Sequence, residues 1–274
     1  SGFPGGAAAL ARAYEAKQIG KEEAQLKFGF LLDAGDLLQG NMLAYVAARF
    51  EFRFGIGAVV ASGLGALYGN VPGGNERMME FTRLYPGYVF ASIFYDPHYH
   101  DECIAQLEKY KNDPGFVGVK IHPRETQTYI STRDYDRLYE YCIERDILVA
   151  CHTWQTEPAN PPADFEPVLE RYPELKLQLC HMGGTYQGVQ DSLRLANRFP
   201  KVYLDINGSL YTQIWLEDLV KEAPIERFVF GTDQTFNDPR IMVGRVLCSD
   251  LDDGVKRLIL SENFERAIGR RLIP

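Results

Sequence analysis

The sequence predicts an α/β fold, a (β/α)8 TIM-like barrel forming a single domain over residues 1–274, and two observations carry that reading. From residue 55 onward seven short, almost wholly apolar runs recur, separated by stretches with helical spacing. Five consecutive runs end in residues able to bind metal or move protons. In a barrel of this kind the strand C-termini are where active sites are built.

The apolar runs cover 56–61, 89–94, 116–121, 147–151, 175–180, 202–206 and 227–230. They are continuous in apolar character rather than alternating, as strands buried on both faces of a parallel sheet are. Between them, 75–85 places Met78, Met79 and Phe81 at near-helical intervals, and 134–144 places Tyr135, Leu138, Tyr141 and Cys142 on one helical face. Pro86, Pro173 and Pro200 fall shortly before the next strand, where a helix has to stop. Strands alternating with helices of this length imply βαβ units, a parallel sheet and right-handed crossovers. A closed barrel needs eight strands, so the first is altered, missing or hidden in the atypical segment 1–40. The best candidate there is 27–32, between an Ala-rich helix over 7–16 and a helix over 41–54.

Composition narrows the function. The chain has 274 residues, 46% apolar and 24% charged, with a net charge of -8. An acidic surface argues against nucleic acid as a partner, because phosphate binding needs a basic face. It argues equally against docking on an anionic membrane. No segment reaches the roughly 18 apolar residues that span a bilayer. Cys103, Cys142, Cys151, Cys180 and Cys248 are odd in number and show no CxxC spacing. With no signal-peptide pattern at the start, they point to free thiols and a cytoplasmic protein. The expected partner is a small-molecule substrate, and a homodimer is compatible with the Asp/Glu-rich helices.

The strand ends carry the chemistry. They read Lys120-Ile121-His122-Pro123-Arg124, Cys151-His152-Thr153-Trp154, Cys180-His181-Met182-Gly183-Gly184, Asp205-Ile206-Asn207 and Gly231-Thr232-Asp233. Taken singly, each residue has a plainer role. A histidine ending an apolar strand is more often a hydrogen-bonded core residue than a ligand. Asp233 could cap the next helix, Lys120 could be a strand-end charge and Asp205 a structural acceptor. Together, two histidines and a carboxylate converging on one barrel face suit a catalytic divalent ion with an open position, zinc above all. Trp154 directly follows the His152-Thr153 pair, with Tyr95, Tyr186 and Tyr211 as further candidates to line an apolar pocket.

In this order and spacing, the motifs Gly118-Val119-Lys120-Ile121-His122-Pro123, Val149-Ala150-Cys151-His152-Thr153, Cys180-His181-Met182-Gly183-Gly184, Val202-Tyr203-Leu204-Asp205, Phe230-Gly231-Thr232-Asp233 and Ile259-Leu260-Ser261-Glu262-Asn263-Phe264 resemble the amidohydrolase-related family over about residues 40–270. That family holds metal-dependent hydrolases, lactonases and aromatic-acid decarboxylases. The resemblance implies that His152, His181 and Asp233 bind metal, with His181 and Asp233 also moving protons. It places Lys120 where some relatives carry a carbamylated lysine, and His122 and Arg124 follow on the same loop as substrate-side groups. Lys120 and, by their place at the strand ends, Trp154 and Asn207 are expected to contact substrate as well. Arg124 suits a planar carboxylate. One departure stands out. The family's first-strand His-x-His is absent, and the only such pair, His98-Tyr99-His100, follows Pro97 at a helix start.

The resemblance implies a metal-dependent hydrolase acting on a small carboxylated or cyclic substrate, a lactone or amide, through metal-activated water. The alternatives are a non-oxidative decarboxylase on the same scaffold and, given the missing histidine pair, a metal-free lactonase or a non-catalytic binding barrel.

Overall fold

The computed structural model describes residues 30–38, 56–208, 213–233 and 237–273. The predicted helices over 7–16 and 41–54, the rest of the atypical N-terminal segment and Tyr211 lie outside them. Within the described residues eight strands form one sheet in sequence order: β1 (Phe30–Leu38), β2 (Ile56–Gly63), β3 (Val89–Phe94), β4 (Phe116–Ile121), β5 (Leu148–His152), β6 (Leu177–Cys180), β7 (Val202–Asp205) and β8 (Phe228–Val229). Every neighbouring pair is parallel, as the alternating pattern of strands and helices demanded.

The eighth strand is therefore β1. It starts inside the predicted 27–32 run and continues through Asp33 and Asp36 to Leu38, where the drop in apolar character hid it. Its register slips against β2 twice, between Phe30 and Leu31 and between Ala34 and Leu38. Strands β3 to β8 are buried throughout. Their side chains divide by period two. Val119, Val149, Cys151, Leu177, Leu179, Val202 and Leu204 belong to the large apolar cluster shared with the helices. Leu148, Tyr203 and Val229 point the other way and pack with Phe264, Ala267, Leu272 and Ile273 from the C-terminal segment. The second face also carries Lys120, Gln178 and Asp205, all buried, so the barrel interior is polar towards the strand C-termini.

Among the described residues eight α-helices have six residues or more: α1 (Val71–Leu84), α2 (His100–Tyr110), α3 (Asp136–Glu144), α4 (Glu166–Arg171), α5 (Tyr186–Arg198), α6 (Gln213–Glu222), α7 (Pro239–Leu247) and a six-residue helix over Asn263–Ile268. Helix α1 starts earlier than the predicted 75–85. Its first turn, Val71-Pro72-Gly73-Gly74, reads as a loop, but proline has no N–H to lose in a first turn. Asn70 caps it by accepting from the Gly73 amide at 3.1 Å. Asn75, fully buried, docks α1 on β3: its Nδ2 donates to the Phe94 carbonyl at 2.9 Å and to Gln106 Oε1 at 2.8 Å, and its Oδ1 accepts from the Phe94 amide at 2.9 Å. Among the described residues no helix is long and apolar enough to cross a membrane.

Candidate functional site

A cavity of about 320 Å³ opens where the strands end. Six of the predicted residues line it: His122 after β4, Arg124 two residues on, His152 closing β5, Trp154, His181 after β6 and Asp233 after β8. Leu67, Tyr68 and Glu125 complete the wall and were not foreseen.

Three of the lining rings are nearly parallel. The His122 and His152 rings stack at 3.9 Å with planes 11° apart, and Trp154 lies 6.4 Å from His152 at 8°. Trp154 is held there by Gly184, where a Cβ would fall 2.4 Å from the indole carbon Cε3. Thr153 ties the two strand ends together, donating to the Cys180 carbonyl at 2.6 Å and accepting from the Gly183 amide at 3.1 Å.

The polar side is a chain of hydrogen-bonding groups. His181 Nε2 stands 3.1 Å from His152 Nδ1, with the rings edge to face at 67°. On its other side His181 Nδ1 lies 4.0 Å from Asp233 Oδ2, which also accepts from Asn237 Nδ2 at 3.0 Å. Both histidines and Asp233 are buried. The backbone at His181 (φ 66°) and at Asp233 (φ 52°) is left-handed, and His181 opens a run of four such residues through Met182, Gly183 and Gly184. A non-glycine residue in this region costs on the order of 1–3 kcal/mol, and such strain clusters at functional sites.

Glu157, which the sequence reading missed, extends that chain. Its Oε2 lies 3.3 Å from His152 Nε2 and accepts from Asn160 Nδ2 at 3.1 Å, while its Oε1 pairs with Arg124 at 2.7 Å. Burial alone would raise this carboxyl. The hydrogen bond with His152, the charge that ring carries when protonated, Asn160 and Arg124 outweigh burial and hold it at about 2. A depressed carboxyl contributes stability that is present above its ordinary value of 4.5 and is lost as the pH falls towards about 2. The difference between wild-type and Glu157→Gln unfolding free energies is therefore expected to shrink across that window. A constant difference in acid urea titrations would refute the assignment.

The remaining predicted residues lie elsewhere. Lys120 is buried with its Nζ 3.4 Å from Cys180 Sγ, and Asn207 is buried with its side chain donating to Asp205 Oδ2 at 2.9 Å. Neither lines the cavity, because both belong to the barrel interior, where Asp205 also accepts from Gln178 at 2.8 Å. Asp205 is the structural acceptor that its plainer reading gave it. Tyr95 is fully buried and hydrogen-bonded to His100, and Tyr186 is exposed. His98 pairs with Asp96 at 2.8 Å, so the His98-Tyr99-His100 pair is divided between two neighbours and lies outside the cavity.

The donor types here suit a divalent ion, but the arrangement does not make a cage. Among the described residues no three His, Cys, Asp or Glu side chains are placed to hold one ion together. His152 turns one nitrogen to Glu157 and the other to His181. The joint ligation by His152, His181 and Asp233 that the resemblance implied is thus not formed by these side chains alone.

No curated protein matches the chain. Solved structures do. A 2,6-dihydroxybenzoate decarboxylase from Rhizobium aligns over 88% of this chain and 99% of its own, with a TM-score of 0.70 and 16% identity. A dihydroxybenzoic acid decarboxylase from Polaromonas, holding manganese and the inhibitor 2-nitroresorcinol, aligns over 88% and 97% with a TM-score of 0.69 and 16% identity. A 4-oxalomesaconate hydratase from Rhodopseudomonas palustris aligns over 97% and 92% with a TM-score of 0.63 and 18% identity. At these identities the likeness establishes the barrel fold. The amidohydrolase family profile matches residues 27–270, nearly the whole length from β1 to the C-terminal helix, and on that match the chain belongs to the amidohydrolase family.

Proposed function

We propose that the protein is an acid–base enzyme acting on a small, flat carboxylic acid, and that its reaction is non-oxidative decarboxylation. The observation that carries this is His181, placed between His152 and Asp233 in the lining of a cavity that also holds a stack of near-parallel aromatic rings, His122, His152 and Trp154. A planar ring of one-ring size joins such a stack face to face. Arg124 at the mouth offers a guanidinium to the substrate carboxylate, exchanging part of its pairing with Glu157 for it. Asp233 Oδ2 stands 4.0 Å from His181 Nδ1, on the side of the ring away from His152. His181, as imidazolium, passes a proton to the ring carbon that bears the carboxylate. The bond from that carbon to the carboxylate then breaks, carbon dioxide leaves and the electron pair returns to the ring. Each step is carried by side chains of the chain itself.

Hydrolysis of a lactone or amide is the second reading. The same Asp233 favours it, since a carboxylate beside the cavity could take the proton from an attacking water.

Carbon dioxide release from a panel of hydroxybenzoic acids, set against acid release from lactones, separates the two. Carbon dioxide is the expected product, and lactone turnover without it would transfer the protein to the hydrolases. On the accepted acid, Arg124→Ala is expected to raise KM about tenfold, the effect of losing one charge-assisted hydrogen bond. An unchanged KM would remove Arg124 from the binding role.

A further inference from the structure

We propose that Glu125 is a specificity-determining residue of the cavity: it admits an aromatic acid that carries one carboxylate beside an O–H or N–H donor, and it turns away an aromatic dicarboxylate. The proposal rests on the reading that Arg124 takes the carboxylate of a flat acid. It deepens that reading by assigning what the rest of the mouth accepts.

Arg124 and Glu125 are consecutive residues, and both line the cavity. The Arg124 guanidinium already stands between two carboxylates. Its Nη1 is 2.7 Å from Glu157 Oε1, and its Nε is 3.7 Å from Glu125 Oε1. The two carboxylates differ in place, because Glu125 belongs to the cavity lining and Glu157 does not. A ligand carboxylate paired with Arg124 therefore brings the adjoining edge of its ring beside Glu125. A carboxylate only accepts hydrogen bonds. An O–H or N–H on that edge donates to it, in a bond strengthened by the charge. A second ligand carboxylate on the same edge meets like charge instead. For a side chain 31% exposed the repulsion is screened towards its value in water, which corresponds to roughly five- to tenfold in affinity. A repulsive group set next to an attractive one is how a site discriminates between ligands that share their main anchor.

The turn Pro123–Thr126 that carries the pair is fixed from beneath. Pro123 and Thr126, its first and last residues, are buried. The Thr126 amide donates to the His122 carbonyl at 3.1 Å, and the Gln127 amide donates to the Arg124 carbonyl at 3.2 Å. The Thr126 hydroxyl lies 3.0 Å from the hydroxyl of Tyr135, which is fully buried. Beyond the turn, the Thr128 amide donates to the Pro123 carbonyl at 3.0 Å. Arg124 and Glu125 thus keep adjacent places at the rim on a backbone whose anchors lie in the core.

Two probes read the discrimination. 3-Hydroxybenzoate carries a hydroxyl where isophthalate carries a second carboxylate, and the two are otherwise alike. A meta hydroxyl does not feed electrons to the carboxylated carbon, so neither is a ready substrate and titration calorimetry reads binding alone. Wild-type protein should bind 3-hydroxybenzoate about five- to tenfold more tightly than isophthalate, and the preference should shrink as salt is added. Glu125→Gln should bring the two Kd values to within about twofold, chiefly by tightening isophthalate, and Glu125→Lys should reverse their order. Equal wild-type affinities overturn the proposal without any variant, which keeps it testable if a variant does not fold. So does a preference that survives unchanged in folded Glu125→Gln. Either result leaves the carboxylic-acid reading in place, whereas a wild-type protein that binds neither probe removes both. The expected preference in a protein that releases no carbon dioxide from any hydroxybenzoic acid keeps Glu125 in this role and removes the decarboxylase reading.

Discussion

Replacing His181 by asparagine should lower turnover about 10²- to 10⁴-fold, the range that a positioned general acid contributes, while leaving the protein folded. Asparagine is chosen for the backbone. Residue 181 has φ 66°, and asparagine adopts that region more readily than most residues. Its amide can also still donate towards His152 Nδ1, which now receives 3.1 Å contact from His181 Nε2. What asparagine cannot do is hold a proton in front of Asp233. Steady-state kinetics with a melting curve on the same preparation decides the matter. Turnover close to wild type would take the proton-transferring role away from His181.

The second large effect is on stability. Gly183→Ala should lose about 2–5 kcal/mol, combining about 1–2 kcal/mol for an alanine held left-handed with about 1–3 kcal/mol for overpacking. Gly183 has φ 78°, and a Cβ there would lie 2.6 Å from both Gly188 Cα and Pro162 Cγ. The obstacle is backbone, not the end of a flexible side chain. Gly188 faces the same contact from the first turn of α5, where its amide is bonded to the Thr185 cap at 3.1 Å, so the helix start cannot easily retreat. Urea unfolding gives the number directly, and a loss below about 1 kcal/mol would show that the loop relaxes more freely than this contact implies.

Much of the fold was readable because parallel strands buried on both faces leave unbroken apolar runs. The bounds of β3 and β4 agree with the predicted 89–94 and 116–121 at both ends. The misses have local causes. The run 175–180 loses its first two residues because Leu175 closes a turn, its amide bonded to the Tyr172 carbonyl at 3.0 Å. The run 227–230 shrinks to Phe228–Val229 because Arg227 belongs to a short 3-10 turn. In the site, His122, Arg124, His152, Trp154, His181 and Asp233 were legible because each closely follows a strand. Glu157 was not, since a carboxylate five residues into a proline-rich loop has no periodicity to betray it. Lys120 and Asn207 lie outside the cavity lining for a different reason. Lys120 precedes His122 by two residues and so shares its face of the pleat, and the sequence does not show how far down the barrel each side chain sits.

The left-handed backbone at 181 and 233 also restricts what evolution can try there. Glycine enters these two positions without strain, and among the other residues asparagine, aspartate and histidine enter at a lower cost than the rest. Three of those four can donate or accept a proton or hydrogen bond. The barrel thus offers, at the rim of its cavity, two addresses whose permitted alphabet is already rich in functional letters. A lineage drifting through neutral substitutions would keep returning acid–base groups to the same spot, and new activities on this scaffold would be found by reshaping the wall around them.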